Sequence, residues 1–215
     1  MYEALIFDFD YTLGDSTEGI VKSVNYGLRQ LGHAEKDRES IRKTIGLSLK
    51  DTYASLTGRG DKEKAELFAD YFREKADEVM VEHTRLYEPV GEVLANLRHK
   101  GCTIGIVTTK FHYRIDQILS KFSLGAAVDL IVGAEDVKIE KPDPEGLLWA
   151  ARHLHTDPKK VLYVGDSVVD AKTAERADID FGGVLTGTTS RDAFRPFRNV
   201  CIMEDLYGIY KFVCG

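Results

Sequence analysis

The stretch Ala4-Leu5-Ile6-Phe7, followed at once by Asp8-Phe9-Asp10-Tyr11-Thr12, decides how this chain is read. Four continuous apolar residues that stop at an acid describe a short strand buried on both faces, as in a parallel sheet, and not the alternation of a half-exposed strand. Comparable runs return at Thr103 to Thr108, Leu130 to Val132, Val161 to Val164 and Phe181 to Leu185, with a weaker one at Val200 to Ile202. Helical patterns lie between most of them. Pro89 opens one, with Val90, Val93, Leu94 and Leu97 on one face and Gly101 as its stop. Others are expected from about Tyr113 to Phe122, Pro144 to Leu154 and Val168 to Ala177. Strand and helix thus alternate from about residue 89 to the end, which predicts an α/β domain with a doubly wound parallel sheet, completed by the strand at residues 4 to 8.

Between that first strand and Tyr87 no β-like run occurs. The segment reads as successive helices, the strongest following Asp61 as N-cap, with Ala65, Phe68, Phe72, Ala76 and Val79 three or four apart. The expected organisation is a core domain of residues 1–14 and 82–215 interrupted by an all-helical cap domain, residues 15–81. A length of 215 residues suits one ordinary domain with an insertion.

Composition narrows the function. With 43% hydrophobic and 30% charged residues, the chain is that of a soluble globular protein. Twenty-nine Lys and Arg against 35 Asp and Glu give a net charge of −6 without a basic run, so neither nucleic acid nor a membrane surface is an expected partner. No stretch approaches the roughly 18 apolar residues of a spanning helix. Cys102, Cys201 and Cys214 form neither a disulfide framework nor a zinc pattern, and the N-terminal residues do not read as a signal peptide; a reducing cytoplasm is expected.

Ligands of open α/β sheets bind beyond the carboxyl ends of the strands. The residues there are Asp8 and Asp10 through Thr12, Thr108-Thr109-Lys110, Lys141-Pro142-Asp143-Pro144, and Gly165-Asp166-Ser167-Val168-Val169-Asp170. Carboxylates, hydroxyls and a lysine should converge on one edge.

In this set the sequence resembles the haloacid dehalogenase superfamily of phosphohydrolases. Asp8, Asp10 and Thr12 match its D-x-D-x-T motif, Thr108 the Ser or Thr that closes a later strand, Lys141 its lysine, and Asp166 with Asp170 its final acidic motif. The order of the motifs matches too, and the resemblance covers the whole chain, with a helical cap after the first motif as in the phosphoglycolate phosphatase-like branch. It implies Asp8 as nucleophile, Mg²⁺ as cofactor held by the side chains of Asp8 and Asp166 and the backbone carbonyl of Asp10, and a small phosphorylated metabolite as substrate, handled by a monomer or weak dimer.

The chemistry of each group agrees with those roles. A carboxylate that attacks phosphorus splits hydrolysis into formation and breakdown of an acyl phosphate. Asp10, two residues on, can protonate the leaving oxygen and later take a proton from water, and two carboxylates this close do not readily both ionise. A phosphate dianion will not approach such a cluster without a hard cation, for which oxygen ligands favour Mg²⁺. Lys141 would neutralise the transferring phosphoryl group, and the Thr108 hydroxyl with following N–H groups such as that of Thr109 would bind its oxygens. Asp170 is a candidate both for the metal shell and for the partner of Ser167 in a helix capping box, two compatible roles, since a carboxylate at a helix start can also hold a metal-bound water. Lys110 reads as a solvated residue without a role.

Other features are weighed as structural. Gly182-x-x-x-x-Gly187-Thr188-Thr189 has phosphate-loop spacing but no lysine, the six histidines show no ligand pairs, and Phe194, Phe197 and Arg195 to Arg198 read as a surface loop. Tyr11 stands where the resembled family most often has glycine. Arg42, Lys43 and Gly46 to Leu49 resemble a cap region of related phosphatases, with phosphoglycolate the first substrate expected and pyrophosphate, sugar phosphates and nucleotides behind it. A phosphoryl mutase of the β-phosphoglucomutase type and a receiver-like phosphoacceptor module stay open as alternatives.

Overall fold

The computed structural model describes residues 2–58 and 60–215. In chain order, the elements begin with β1 (Ala4–Phe7) and β2 (Gly14–Asp15), followed by helices α1 (Thr17–Gln30), α2 (Arg38–Arg42), α3 (Leu49–Thr57) and α4 (Lys62–Val79). The chain continues through β3 (Arg85–Leu86), α5 (Val90–His99), β4 (Thr103–Val107), α6 (His112–Lys121), β5 (Leu130–Val132) and α7 (Glu145–His153). It ends with β6 (Val161–Gly165), α8 (Val168–Ala177), β7 (Asp180–Val184), α9 (Arg191–Phe194), β8 (Cys201–Met203) and α10 (Leu206–Cys214).

Two compact units result, one of Met1–Asp15 with Leu86–Gly215 and one of Ser16–Arg85. The second boundary falls later than residue 81 because the chain after α4 stays bonded within the helical unit. Thr84 donates through Oγ1 to the Met80 carbonyl at 2.7 Å and lies 3.0 Å from Ser16 Oγ.

In the α/β unit a six-stranded sheet runs in the order β5-β4-β1-β6-β7-β8, and its ladders are parallel. The first strand is therefore central, which is why its four apolar residues are all fully buried. Succeeding strands are added first on one side of it and then on the other, so the topological switch lies at β1. Phe7 pairs with Ile106 and with Val164, so the residues that follow β1, β4 and β6 leave the sheet side by side. Ile6, Val107, Leu147, Tyr163, Phe181 and Phe194 belong to one core cluster. Here the expectation of a surface loop at 194 to 198 fails for Phe194. It ends α9 and is fully buried 5.6 Å from the Phe181 ring, while Arg198 reaches Asp178 and Asp180 at 2.7 Å each. Gly182 lies inside β7, packed by Cys201 and Ile209, and is strand, not phosphate loop.

The helical unit has its own core, in which Ile20, Val24 and Leu28 of α1, Tyr53 of α3, and Phe68, Phe72 and Ala76 of α4 meet. Asp61 caps α4 by accepting from the Lys64 N–H at 3.2 Å, as its sequence position predicts. Gly27 allows α1 and α4 to approach closely, since a Cβ there would lie 2.9 Å from the Phe68 ring.

Candidate active site

The strand ends bring the sequence-selected residues together within the α/β unit. Asp8 directly follows central β1, and its N–H donates to the Val164 carbonyl at 2.8 Å, which fixes the carboxylate beside the end of β6. Its exposure is 2%; Asp10, Thr108, Lys141, Asp166 and Asp170 are likewise buried, and Thr109 is half-buried. One carboxylate oxygen each from Asp8, Asp166 and Asp170 lies within 4.8 Å of the others.

Lys141 is the centre of this cluster. Its Nζ lies 2.9 Å from Asp8 Oδ1, 2.6 Å from Asp170 Oδ1 and 3.0 Å from the Tyr163 hydroxyl. Burial works against the ammonium charge, but Asp170 and Asp8 overcome it and hold the lysine well above its usual range. Burial likewise pushes the Asp8 carboxyl up to about 7; Lys141 opposes this, and the charges of Asp170 and Asp10 add to it. Asp166 is held well above the usual carboxylate range by burial first and then by Asp170 and Asp8.

Asp170 has both oxygens engaged. Oδ1 takes Lys141 and the Tyr163 hydroxyl, the latter at 3.0 Å, and Oδ2 takes the Ser167 N–H at 3.1 Å and the Ser167 hydroxyl. Ser167 in turn accepts from the Asp170 N–H, so the capping box weighed from the sequence is formed. Asp170 thereby ties the start of α8 to the lysine, while Tyr163, from the middle of buried β6, joins both.

Tyr163 and Lys110 are the residues that sequence reasoning missed. A tyrosine inside a run as apolar as Val161 to Val164 was itself a signal, because a buried phenol hydroxyl needs a partner. Lys110 is not solvated. It is 7% exposed, with Nζ 3.0 Å from Asp10 Oδ2. Its backbone is pinned at both ends, the N–H donating to Thr108 Oγ1 at 3.2 Å and the carbonyl accepting from the Ala134 N–H at 3.1 Å.

The loop after Asp8 explains Tyr11. Its φ of 60° is left-handed, the conformation glycine adopts freely and other residues adopt at a cost of roughly 1–2 kcal/mol. The loop holds this residue by its N–H, which donates to the Gly14 carbonyl at 2.7 Å, and by its carbonyl, which accepts from the Thr186 hydroxyl. Its side chain is buried, at 3% exposure.

Gly187, next to Thr186, cradles Asp166, for a Cβ there would sit 1.8 Å from Asp166 Oδ2. Gly187→Ala is therefore expected to displace that carboxylate and reduce turnover on the order of 10²-fold, a typical consequence of misplacing a site group by about 1 Å. Steady-state kinetics together with an unchanged far-UV spectrum would check it; normal turnover would show that Asp166 does not need this seat.

The residues present fit a hard divalent cation. Asp8, Asp10, Asp166 and Asp170 set four carboxyl groups against the two ammonium groups of Lys110 and Lys141, so that full ionisation leaves two negative charges among buried oxygen donors for a cation to balance. Among the described residues, the buried oxygens Asp10 Oδ1 and Thr12 Oγ1 have no hydrogen-bond partner. A doubly wound sheet that gathers carboxylates and two lysines at its switch point suits a cation with a phosphate-type anion.

Comparison with known proteins agrees. The model of the haloacid dehalogenase-like hydrolases matches residues 5–184, and the chain belongs to that family, as an enzyme of its phosphatase class. A Bacillus velezensis relative named pyrophosphatase PpaX is 32% identical over 209 residues, covering 96% of this chain and 95% of its own. A Bacteroides fragilis structure described as a haloacid dehalogenase-like hydrolase superposes with a TM-score of 0.94 at 38% identity, covering 97% of this chain and all of its own. A Haemophilus somnus structure described as a predicted phosphoglycolate phosphatase shares the fold, with a TM-score of 0.85 at 22% identity over 99% of this chain and 98% of its own.

Proposed function

We propose that this protein is a Mg²⁺-dependent phosphatase that hydrolyses a small phosphate ester or anhydride through an aspartyl-phosphate on Asp8. The observation that carries the reading is the pairing of Asp8 with Lys141 at 2.9 Å inside a buried carboxylate cluster, with Asp10 two residues away. Asp8 and Asp166 would hold the cation by their side chains and Asp10 by its backbone carbonyl. When bound, it supplies positive charge that favours ionised Asp8 and offsets that of the phosphate. Asp170, whose oxygens are all engaged by protein donors, acts through Lys141 and not as a direct ligand.

In the first step an Asp8 oxygen bonds to phosphorus as the leaving oxygen departs with a proton from Asp10, for which the unpartnered Oδ1 is available. Lys141 offsets charge on the transferring group, and the Thr108 hydroxyl with the Thr109 N–H orients its oxygens. In the second step Asp10 takes a proton from a water whose oxygen bonds to phosphorus as the bond between phosphorus and the Asp8 oxygen breaks, which releases phosphate and restores the Asp8 carboxylate.

Pyrophosphate stands ahead of phosphoglycolate as substrate, because the full-length relative at 32% identity carries the pyrophosphatase name while the phosphoglycolate-named neighbour, at 22%, supports the fold alone. The reading includes a cap role for the helical insertion in substrate choice and a cytoplasmic location. Among the described residues no helix is long and apolar enough to cross a membrane.

Phosphate release from a panel of pyrophosphate, phosphoglycolate, sugar phosphates and nucleotides, compared as kcat/KM, tests the substrate. Chelation is expected to abolish turnover and Mg²⁺ to restore it, with Mg²⁺ raising Tm in the wild type but not in Asp166→Asn. Metal-independent turnover would rule out the cation, and an isomerised sugar phosphate without free phosphate would mark a mutase.

A further inference from the structure

The two buried ammonium groups of the site are divided between its two chemical ends. Lys141 meets Asp8, Asp170 and Tyr163, on the side of the transferring phosphoryl group. Lys110 meets Asp10, the group assigned to the leaving oxygen, and among the described residues no other side chain pairs with it. A monoester of an uncharged alcohol needs a cation only at the transferring group. Burying a second ammonium beside one carboxylate carries a desolvation cost that such a substrate does nothing to offset. An ammonium has three N–H donors, and Asp10 takes one. The backbone of Lys110 is held within the strand-end loops by its N–H and its carbonyl, so its stem starts from a fixed point beside Asp10.

We propose that Lys110 is a specificity-determining residue that binds a second anionic group carried by the leaving fragment. The substrates selected are then those in which a phosphate or carboxylate lies within one or two bonds of the departing oxygen, and esters of neutral alcohols are poorly served. This rests on the phosphatase reading only in taking Asp10 as the leaving-group residue.

The experiment compares wild type, Lys110→Met and Lys110→Arg at constant free Mg²⁺. Turnover is measured with pyrophosphate, phosphoglycolate and ethyl phosphate, and binding is measured by calorimetry with their inert analogues methylenediphosphonate, 3-phosphonopropionate and propylphosphonate. Lys110→Met alters the surroundings of Asp10 for every substrate, so all rates fall by a shared factor. Beyond it, kcat/KM for the anionic substrates and affinity for the anionic analogues should fall a further 10- to 100-fold, as for the loss of one charged hydrogen bond. Lys110→Arg should keep most of the preference. Whichever of the two anionic analogues is preferred identifies the second group as phosphate or carboxylate. Equal losses in every arm would overturn the proposal and leave Lys110 as a residue that only positions Asp10. Wild-type binding without preference for the anionic analogues would overturn it as well. Should no substrate turn over while analogue binding still depends on Lys110, the phosphatase reading fails and the anion site stands.

Discussion

Asp8→Asn is expected to lower kcat on the order of 10⁴-fold or more while leaving a folded protein, because in the proposed mechanism it replaces the attacking carboxylate with a neutral amide and changes little else. Losses of that order accompany removal of a nucleophile in covalent catalysis. The shape is conserved, and Lys141 keeps Asp170 and Tyr163 as partners. The stability effect has a sign that separates this variant from a merely damaged one. Burial raises the Asp8 carboxyl to about 7 in the folded protein, far above its unfolded value. Its ionisation therefore opposes folding, and the penalty is absent near pH 4, grows as pH rises, and is complete above about 7. In metal-free buffer at pH 8 the variant should thus melt higher than the wild type, at about 2–4 °C for each kcal/mol relieved, and the two should converge towards pH 4. Saturating Mg²⁺ should reverse the order, since only the wild type keeps the full set of carboxylates. Phosphate-release assays and melting curves at two pH values check both halves. Near-normal turnover would remove Asp8 from the nucleophile role.

The second large effect is expected for Lys141→Met. This side chain, 8% exposed, balances Asp8 and Asp170 and also takes the Tyr163 hydroxyl. Removing it strands buried carboxylates without their counter-charge, which costs roughly 3–5 kcal/mol. It also removes a donor from the transferring phosphoryl group, for a further loss on the order of 10²- to 10³-fold in kcat. Lys141 is held well above its ordinary pKa, so its stabilisation is present throughout the range below that value and would disappear only in strong alkali. The deficit of the variant should nevertheless shrink in acid, as Asp8 takes up a proton and no longer needs a partner. Urea unfolding at pH 5 and pH 8 measures this. A deficit independent of pH would mean that lost packing, not stranded charge, is responsible.

How much of this was legible in the chain follows from what each feature depends on. Continuous apolar runs mark the buried parallel strands, and Ala4 to Phe7 and Leu130 to Val132 form as their sequences predict. Helix stops and caps are local, so Asp61 and the box of Ser167 with Asp170 could be placed from spacing alone. Phe194 was misplaced because its burial comes from Phe181, a partner thirteen positions earlier, while Arg191, Asp192, Arg195 and Arg198 around it read as surface. Lys110 was misread for the same reason. Nothing within its own strand-end segment distinguishes a solvated lysine from one that meets Asp10, a hundred residues away.

By itself, then, the sequence determined the doubly wound sheet, the helical insertion and the set of residues that leave the strand ends. These follow from hydrophobic period and chain order, which are properties of neighbouring residues. Only the tertiary structure decided how those residues divide their work. Asp170 has its oxygens consumed by Lys141, Tyr163 and Ser167, Gly187 seats Asp166, and the two lysines go to different carboxylates. The physical reason is that charge pairing and desolvation depend on distances of about 3 Å between segments far apart in the chain, which the fold alone brings together: the parallel register sets the ends of β4, β1 and β6 side by side, and the segment between β5 and α7 carries Lys141 to them.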